Sequence, residues 1–142
     1  MIATRVQAGA FDAAAEVAAL TAGRSDLGAV VTFTGLVRDV AMTLEHYPGM
    51  TERQLGAVAA EAAARWPGLV GSVVHRFGAL APGEAIVLVV TAGRHRGEAF
   101  AAAEFLMDWL KTRAPFWKHE AGAGWVGAKA SDDDAAARWE RP

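Results

Sequence analysis

Lysines are the residues of this chain whose type and spacing best suit chemistry. The sequence contains 11 arginines but only three lysines, Lys111, Lys118 and Lys129, and all three fall within 19 residues. A primary amine that is removed from water can lose its proton and act as a base or a nucleophile, whereas a guanidinium stays charged. The bias indicates acid–base or nucleophilic chemistry in this segment, while a chance cluster of so few residues is the alternative.

Aromatic residues are concentrated around the same lysines. Four of the five tryptophans lie in the last 34 residues, and Phe116 and Trp117 directly precede Lys118. Aromatic walls around an amine exclude water, which lowers the pKa of a lysine. The same side chains would equally serve as ordinary core, which is the commoner role of a single tryptophan.

A basic triplet, Arg94-His95-Arg96, follows a predicted strand and opens a predicted helix. Two guanidinium groups and an imidazole at a helix N-terminus form a suitable site for phosphate, sulfate or carboxylate. Arg38, at the end of another predicted strand, would join the same site if the two strands were neighbours. A solvated surface loop is the alternative interpretation of the triplet.

Other kinds of site are excluded or disfavoured by composition and motif. The chain has no cysteine, so disulfides, thiolate catalysis and cysteine-based zinc sites are excluded. Metalloprotease, dinucleotide-binding, P-loop and nucleophile-elbow signatures are missing from the sequence. A net charge of −2 and a pI near 6.1 argue against nucleic acid as the main partner. His46 and His75 lie in strand-like segments, where a structural role is expected.

The elements that must position these residues alternate between strands and helices. Helices are predicted over residues 11–22, about 51–66 and about 95–113, with a short terminal helix opened by Asp132–Asp134. A capping box formed by Thr51 and Gln54 is expected to begin the second helix. Strands are predicted over 2–6, 28–37, 43–47, 69–77, 85–92, 116–120 and 125–129, the last two joined by a glycine-containing hairpin.

The longest predicted helix shows the clearest buried face. Phe100, Ala103, Met107 and Leu110 recur at spacings of three and four, which predicts that these four side chains face the core. Strands occur both as hairpins and with intervening helices, so the expected fold class is α+β with a mixed or antiparallel sheet.

Length and hydropathy predict one domain spanning residues 1–142. Residues 1–10 lack the apolar run of a signal peptide, and the strongest apolar run, Ala85–Ala92, is far shorter than the roughly 20 residues that span a bilayer. The cytoplasm is therefore the expected compartment, and no membrane association is expected.

Several segments together resemble the large, catalytic subunit of molybdopterin synthase. They occur in the family's order and cover nearly the whole chain: LEHYPGM (44–50), HRFGALAPGE (75–84), HR (95–96), MDWLKTRAPFWKHE (107–120) and the final WV…SDDDAAARW. LKTRAPFWK is long and unusual enough to be specific. The resemblance implies an α/β-hammerhead-type α+β fold with an additional antiparallel sheet region.

The resemblance also implies a reaction and its partners. That family converts cyclic pyranopterin monophosphate to molybdopterin, the dithiolene that later holds molybdenum, and binds no permanent cofactor. Sulfur arrives as a thiocarboxylate on the C-terminal glycine of a small ubiquitin-like subunit. Two large subunits form a central dimer within a heterotetramer. This makes the chain a sulfurtransferase for molybdenum cofactor biosynthesis, and the alternative is a noncatalytic scaffold that binds a ubiquitin-like partner.

The site residues that the resemblance implies coincide with the residues singled out above. Lys111 and Lys118 match the family's two essential lysines. The substrate-binding positions matched are Arg38, His95, Arg96, Phe33, Met107 and, across the dimer, Lys129. The chain departs from the family between Asp39 and Thr43, where only Val40, Ala41 and Met42 replace a longer polar loop.

Overall fold

The computed structural model describes residues 1–113, 116–120, 124–126 and 139. The helices in this part of the chain are α1 (Ala13–Thr21), α2 (Met50–Arg65) and α3 (Arg96–Arg113). The strands are β1 (Ile2–Gln7), β2 (Ala29–Leu36), β3 (Met42–His46), β4 (Val70–Arg76), β5 (Gly78–Leu80), β6 (Ala85–Gly93), β7 (Phe116–Glu120) and β8 (Gly124–Val126).

Sheet A is mixed and has the strand order β1-β4-β6-β2. Its β1 and β4 are parallel, whereas β4 and β2 both run antiparallel to β6. Strand β6 is central and buried on both faces, as its continuous apolar run requires. Strand β2 forms one edge, with its last residue, Leu36, beside the first residue of β6, Ala85.

Helices cover both faces of sheet A. On one face α2 and α3 pack over a core that contains Val73, Val87 and Val89, and on the other α1 covers Leu88 and Val90. The buried face of α3 begins with alanines, which allow the helix to approach the sheet closely. The hydroxyl of Thr91, late in β6, donates to the carbonyl of Ala99, early in α3, at 2.7 Å. Helix α3 therefore runs antiparallel to β6.

Sheet B is antiparallel and has the order β5-β3-β7-β8. The chain passes from sheet A to sheet B between Arg76, the end of β4, and Gly78, the start of β5. Gly78 has a φ of 96°, a left-handed conformation that glycine adopts without steric cost. A small second core of Val37, Met42, Leu44 and Leu80 lies under this sheet.

The expected α+β architecture with a mixed sheet and an added antiparallel sheet region is confirmed. The short strand β5 was not among the predicted elements. The hairpin between the segments at 116–120 and 125–129 is present as β7 and β8, although β8 begins at Gly124 and residues 127–129 lie outside the described part. The terminal helix predicted from Asp132 also lies outside the described residues. No helix in the described part is long and apolar enough to cross a membrane.

Two local predictions are wrong. Helix α2 begins at Met50, and the carboxylate of Glu52 caps it by accepting the N–H of Gly49, whereas the Thr51 hydroxyl accepts the N–H of Tyr47 at 3.0 Å. In α3, Phe100 is 61% exposed. The buried stripe instead starts at Ala99, one residue earlier and so about 100° around the helix, because small side chains fit against the sheet there.

Trp139, three residues before the end of the chain, packs against α2 and α3. Its Nε1 donates to Asp108 at 2.6 Å, and its carbonyl accepts from the Arg65 guanidinium at 2.6 Å. Its ring meets Trp66 and Phe105 edge to face, with centroids 6.2 and 5.5 Å apart. Edge-to-face pairs and a hydrogen bond to a carboxylate both stabilise the folded state.

Replacing Trp139 is expected to destabilise the protein in two steps. Trp139→Phe keeps the ring contacts but loses the bond to Asp108, so the free energy of unfolding should fall by about 1–2 kcal/mol. Trp139→Ala also loses the ring and should cost about 3–4 kcal/mol. Urea unfolding measures both, with Trp117→Ala, whose ring is 41% exposed, as the control. Equal losses for Trp139→Ala and the control would contradict this packing.

Candidate active site

Lys118 lies at the centre of β7 on the face turned toward the interior. It stands directly opposite Leu44 of β3, with Phe116 and Glu120 as its neighbours on the same face. The side chain is partly buried, and its ammonium has no hydrogen-bond or ion-pair partner among the residues that the structure describes. A partly buried cation that has no counter-ion among the described residues is suited to bind an incoming carboxylate-like group.

Lys111 lies in the last turn of α3. Because α3 runs antiparallel to β6, this turn lies at the end of sheet A where β6 begins and β2 ends. The positive charge of Lys111 acts on the imidazole of His75, near the end of β4. The ring of His75 in turn stacks on Phe116, which lies two residues before Lys118 on β7. The stack therefore connects the residue on which Lys111 acts with the strand that carries Lys118.

Four aromatic rings pack together where sheets A and B meet. We call these residues, His46, His75, Phe77 and Phe116, the aromatic junction. His75 stacks on Phe116 with centroids 3.7 Å apart and planes 17° from parallel. His46, opposite Phe116 in the register, lies 4.2 Å from the ring of Phe77 and 6.4 Å from that of Phe116. Aromatic rings therefore cluster where the elements that carry the lysines come together, but histidines and phenylalanines, not tryptophans, form this cluster.

The imidazole of His75 is held in its neutral form. Burial lowers the pKa of His75 to about 4, assisted by the charges of Lys111 and His46 and opposed by a hydrogen bond to Arg76. In that bond Nδ1 lies 2.9 Å from the Arg76 carbonyl oxygen. A carbonyl only accepts, so Nδ1 carries the proton and Nε2 the lone pair.

Arg38 follows β2 at the same end of sheet A as Lys111. Its guanidinium is 78% exposed and lies 3.9 Å from the carboxylate of Asp39. The short loop after it is tight, with the Val40 N–H bonded to the Arg38 carbonyl at 2.8 Å and a φ of 69° at Asp39. Arg38 is therefore free to reach an anion arriving from solvent.

His95 and Arg96 lie at the opposite end of the sheet. They precede and begin α3, whereas Lys111 lies in its last turn, 16 residues after His95, which corresponds to about 24 Å along a helix axis. The expectation that Arg38 meets this triplet if the strands are neighbours is wrong for a single chain. Strands β2 and β6 are neighbours, but their antiparallel pairing places Arg38 beside the start of β6 and His95 after its end.

The amide at this helix N-terminus already has an anionic partner within the chain. The Glu98 carboxylate accepts the N–H of His95 at 3.2 Å. Arg94, His95 and Glu98, with Asp26 and Leu27, line an open cavity of about 310 Å³. The exposed side chains of His95 and Arg96, more than the helix amides, are thus what this end offers to a ligand.

Comparison with known proteins identifies the family. Residues 6–113 match the family model described as MoaE protein. The molybdopterin synthase catalytic subunit of Mesorhizobium japonicum is 56% identical over 96% of this chain and 92% of its own length. The chain belongs to the MoaE family. The resemblance inferred from the lysine segment and its flanking motifs is thereby confirmed.

Solved structures of relatives agree in fold. A molybdopterin biosynthesis MoaE protein from Burkholderia ambifaria is 53% identical, with a TM-score of 0.89 and full coverage of both chains. The complex of subunits 1 and 2 of molybdopterin-converting factor from Helicobacter pylori has a TM-score of 0.73 at 23% identity, over 89% of this chain and 90% of that one. The latter likeness bears on the fold alone.

The remaining family positions are placed as follows. Phe33 lies on β2, on the face of sheet A that α3 covers, and its ring is 40% exposed. Met107 of α3 packs against the same core. Phe33 lies opposite Val89 of β6, and Met107 lies four residues before Lys111 in α3. Lys129 lies outside the described residues, so its assignment stays a prediction.

Sequence reasoning missed the part played by His75. A histidine in an apolar strand carries no local sign of a distant stacking partner, and a structural role was the expected one. The signal available was HRFG: a histidine two residues before Phe77 and a glycine, at the point where a strand must turn into another sheet. No three metal-binding side chains come together within the described residues.

Acid should destabilise the protein through His75. Its pKa is near 6.5 when unfolded and about 4 when folded. As the pH falls from 6.5 to 4, only the unfolded state takes up this proton, so the free energy of unfolding decreases by at most about 3 kcal/mol; above pH 7 the group contributes nothing. His75→Phe removes the titrating group, and urea unfolding between pH 4 and 7.5 should show a shallower decline than the wild type. Identical declines would contradict the assignment.

Proposed function

We propose that this chain is the sulfur-transferring catalytic subunit of a molybdopterin synthase. It would take two sulfur atoms in turn, each from the C-terminal thiocarboxylate of a small ubiquitin-like partner, and add them to cyclic pyranopterin monophosphate to form the dithiolene. Water would release each partner as its carboxylate. One observation carries the proposal: the partly buried Lys118 ammonium has no partner among the described residues and lies two residues after Phe116, which stacks on the imidazole that Lys111 acts on.

The chemistry suits these residues. A thiocarboxylate is itself a sulfur nucleophile, which explains how a chain without cysteine can transfer sulfur. One lysine would bind the partner's terminal group, and either would move protons as sulfur adds and water leaves. On this proposal no permanent cofactor is needed, and the cytoplasm is the proposed compartment for a cysteine-free enzyme.

The cations assigned to the substrate phosphate do not lie together within a single chain. Arg38 lies near the lysines, whereas His95 and Arg96 lie about 24 Å away along α3. We therefore propose that two copies assemble each anion site, as the dimer of large subunits within a heterotetramer would allow. Fixed cations from both would stabilise the charge that develops when the cyclic phosphate opens.

The edge strand β2 is the surface proposed for this dimer. Val30, Phe33 and Leu36 are exposed along it, and an unpaired strand edge with apolar side chains favours pairing with another strand. Antiparallel pairing of two copies of β2 about a twofold axis places the Leu36 end of one beside the Ala29 end of the other. In its own chain Ala29 pairs with Gly93, two residues before His95.

Removing either lysine should abolish turnover without unfolding the protein. Lys111→Ala and Lys118→Ala are each expected to lower kcat at least about 100-fold, because an amine that touches reacting atoms is lost. The assay mixes protein, thiocarboxylated small subunit and cyclic pyranopterin monophosphate, and detects molybdopterin as its fluorescent oxidation product. Arg5→Ala, on the far edge strand β1, is the control and should keep wild-type activity.

The same assay separates the synthase from a scaffold. A wild-type protein that binds the small subunit yet forms no product would support the noncatalytic alternative. Unchanged turnover in both lysine variants would contradict the lysine assignment.

Mixing two inactive variants tests the shared anion site. If each site takes Lys118 from one copy and Arg96 from the other, random mixed dimers of Lys118→Ala and Arg96→Ala chains contain one intact site each. About a quarter of all sites, and so of wild-type activity, should then return after the subunits exchange. No recovery, with mixed dimers demonstrated by mass spectrometry, would show that each chain carries a whole site.

A further inference from the structure

The position of Lys118 depends on how the start of β7 is held. Phe116 begins β7 directly after the two residues, 114 and 115, that link it to α3. Lys118 follows two residues later on the same face, about 7 Å along the strand. Any rotation or slip of Phe116 is therefore transmitted to the Lys118 side chain. Contacts that hold the Phe116 ring in place therefore also hold Lys118 in place.

We propose that His75 is a positioning residue for the lysine site: its ring, stacked flat on Phe116 from the other sheet, fixes the start of β7 and hence the placement of Lys118 relative to Lys111. This proposal depends on the proposed function only for the catalytic role that it assigns to the lysines. Its geometric basis is the 3.7 Å, nearly parallel stack between a residue of sheet A and a residue of sheet B.

Histidine satisfies two requirements at this position. Its flat ring stacks on Phe116, and its Nδ1–H donates to the Arg76 carbonyl, where the chain leaves sheet A. That bond is made within β4, whereas the stack is the contact that reaches β7 and holds Phe116. Asparagine would keep only the hydrogen bond, and phenylalanine only the stack, so the two functions can be separated by substitution.

Burial, assisted by the charged groups around it, lowers the pKa of His75 to about 4 and keeps its ring uncharged near neutral pH. Lys111 of α3 and His46 of β3 both act on it, and His46 has its own anionic partner in Glu52 of α2, with Nε2 and Oε1 3.5 Å apart. The neighbouring Arg76 guanidinium is turned to the carbonyls of Ala8 and Ala85. A neutral ring avoids adding a positive charge close to Lys111.

Four variants test the proposal in the full chain with its partner. His75→Phe keeps the stack, His75→Asn keeps the hydrogen bond, and Phe116→Leu removes the stack from the other side. The control is Val90→Ala, a buried site under α1 on the opposite face of sheet A, which is destabilised without touching the junction. Circular dichroism at the assay temperature verifies that each variant is folded.

Two readouts follow. kcat should fall at least tenfold in His75→Asn and Phe116→Leu, with the KM for cyclic pyranopterin monophosphate unchanged within threefold, because none of the residues assigned to the substrate anion belongs to the aromatic junction. His75→Phe and Val90→Ala should keep kcat within threefold. A second readout is independent of catalysis: the rate at which acetic anhydride acylates Lys118, measured by mass spectrometry relative to Lys129. This rate should change at least threefold in His75→Asn and Phe116→Leu and in neither of the other two variants.

The labelling result separates failure of this proposal from failure of the proposed function, since it needs no turnover. Altered Lys118 labelling in His75→Asn and Phe116→Leu supports the positioning role even if no molybdopterin forms. Wild-type labelling in those two variants would overturn it. So would a His75→Phe protein as impaired as His75→Asn, or a Val90→Ala protein with the same loss of kcat.

Discussion

The close packing of α3 along β6 is the constraint on which the rest of the structure depends. Alanines at 99, 102 and 103 let the helix approach the sheet, and the bond from Thr91 to the Ala99 carbonyl fixes its antiparallel direction. A helix of 18 residues spans about 27 Å, so its two basic ends are held that far apart. One packing interaction thus places Lys111 beside sheet B and keeps His95 and Arg96 away from it.

The second sheet completes the lysine site because the chain changes sheets beside it. Gly78 allows the turn out of β4, and the rings of His75 and Phe77 on either side of Arg76 then meet rings of β3 and β7. Lys118 lies on the strand that this contact holds. The site is therefore built at the seam between two sheets, where a buried position and access from solvent coexist.

Much of the fold was predictable because its long elements have strong periodic patterns. The apolar run of β6 and the regular spacing in α3 identify both elements correctly. Phe100 was misplaced because its spacing fits the buried period equally well, and only the sheet's need for small residues selects Ala99. Strand β5 has three residues, too few for any pattern to indicate.

The sequence proposes members for the candidate site but does not show their arrangement. Residue type and spacing pointed to the three lysines, the Arg94–Arg96 triplet and Arg38, and family likeness selected Lys111 and Lys118 as the catalytic pair. Whether two strands run parallel or antiparallel is a tertiary property, so local pattern could not show that Arg38 and His95 lie at opposite ends. The stack of His75 on Phe116 joins residues 41 positions apart and leaves no local signal.

The most direct test of the central claim is to find which amine meets the partner's tail. The complex with the small subunit in its carboxylate form would be treated with a zero-length carbodiimide and digested, and the isopeptide bond located by mass spectrometry. Only three lysines and the N-terminus compete. A bond from the partner's C-terminal glycine to Lys111 or Lys118 is predicted; a bond formed only at Lys129 or the N-terminus would contradict the account.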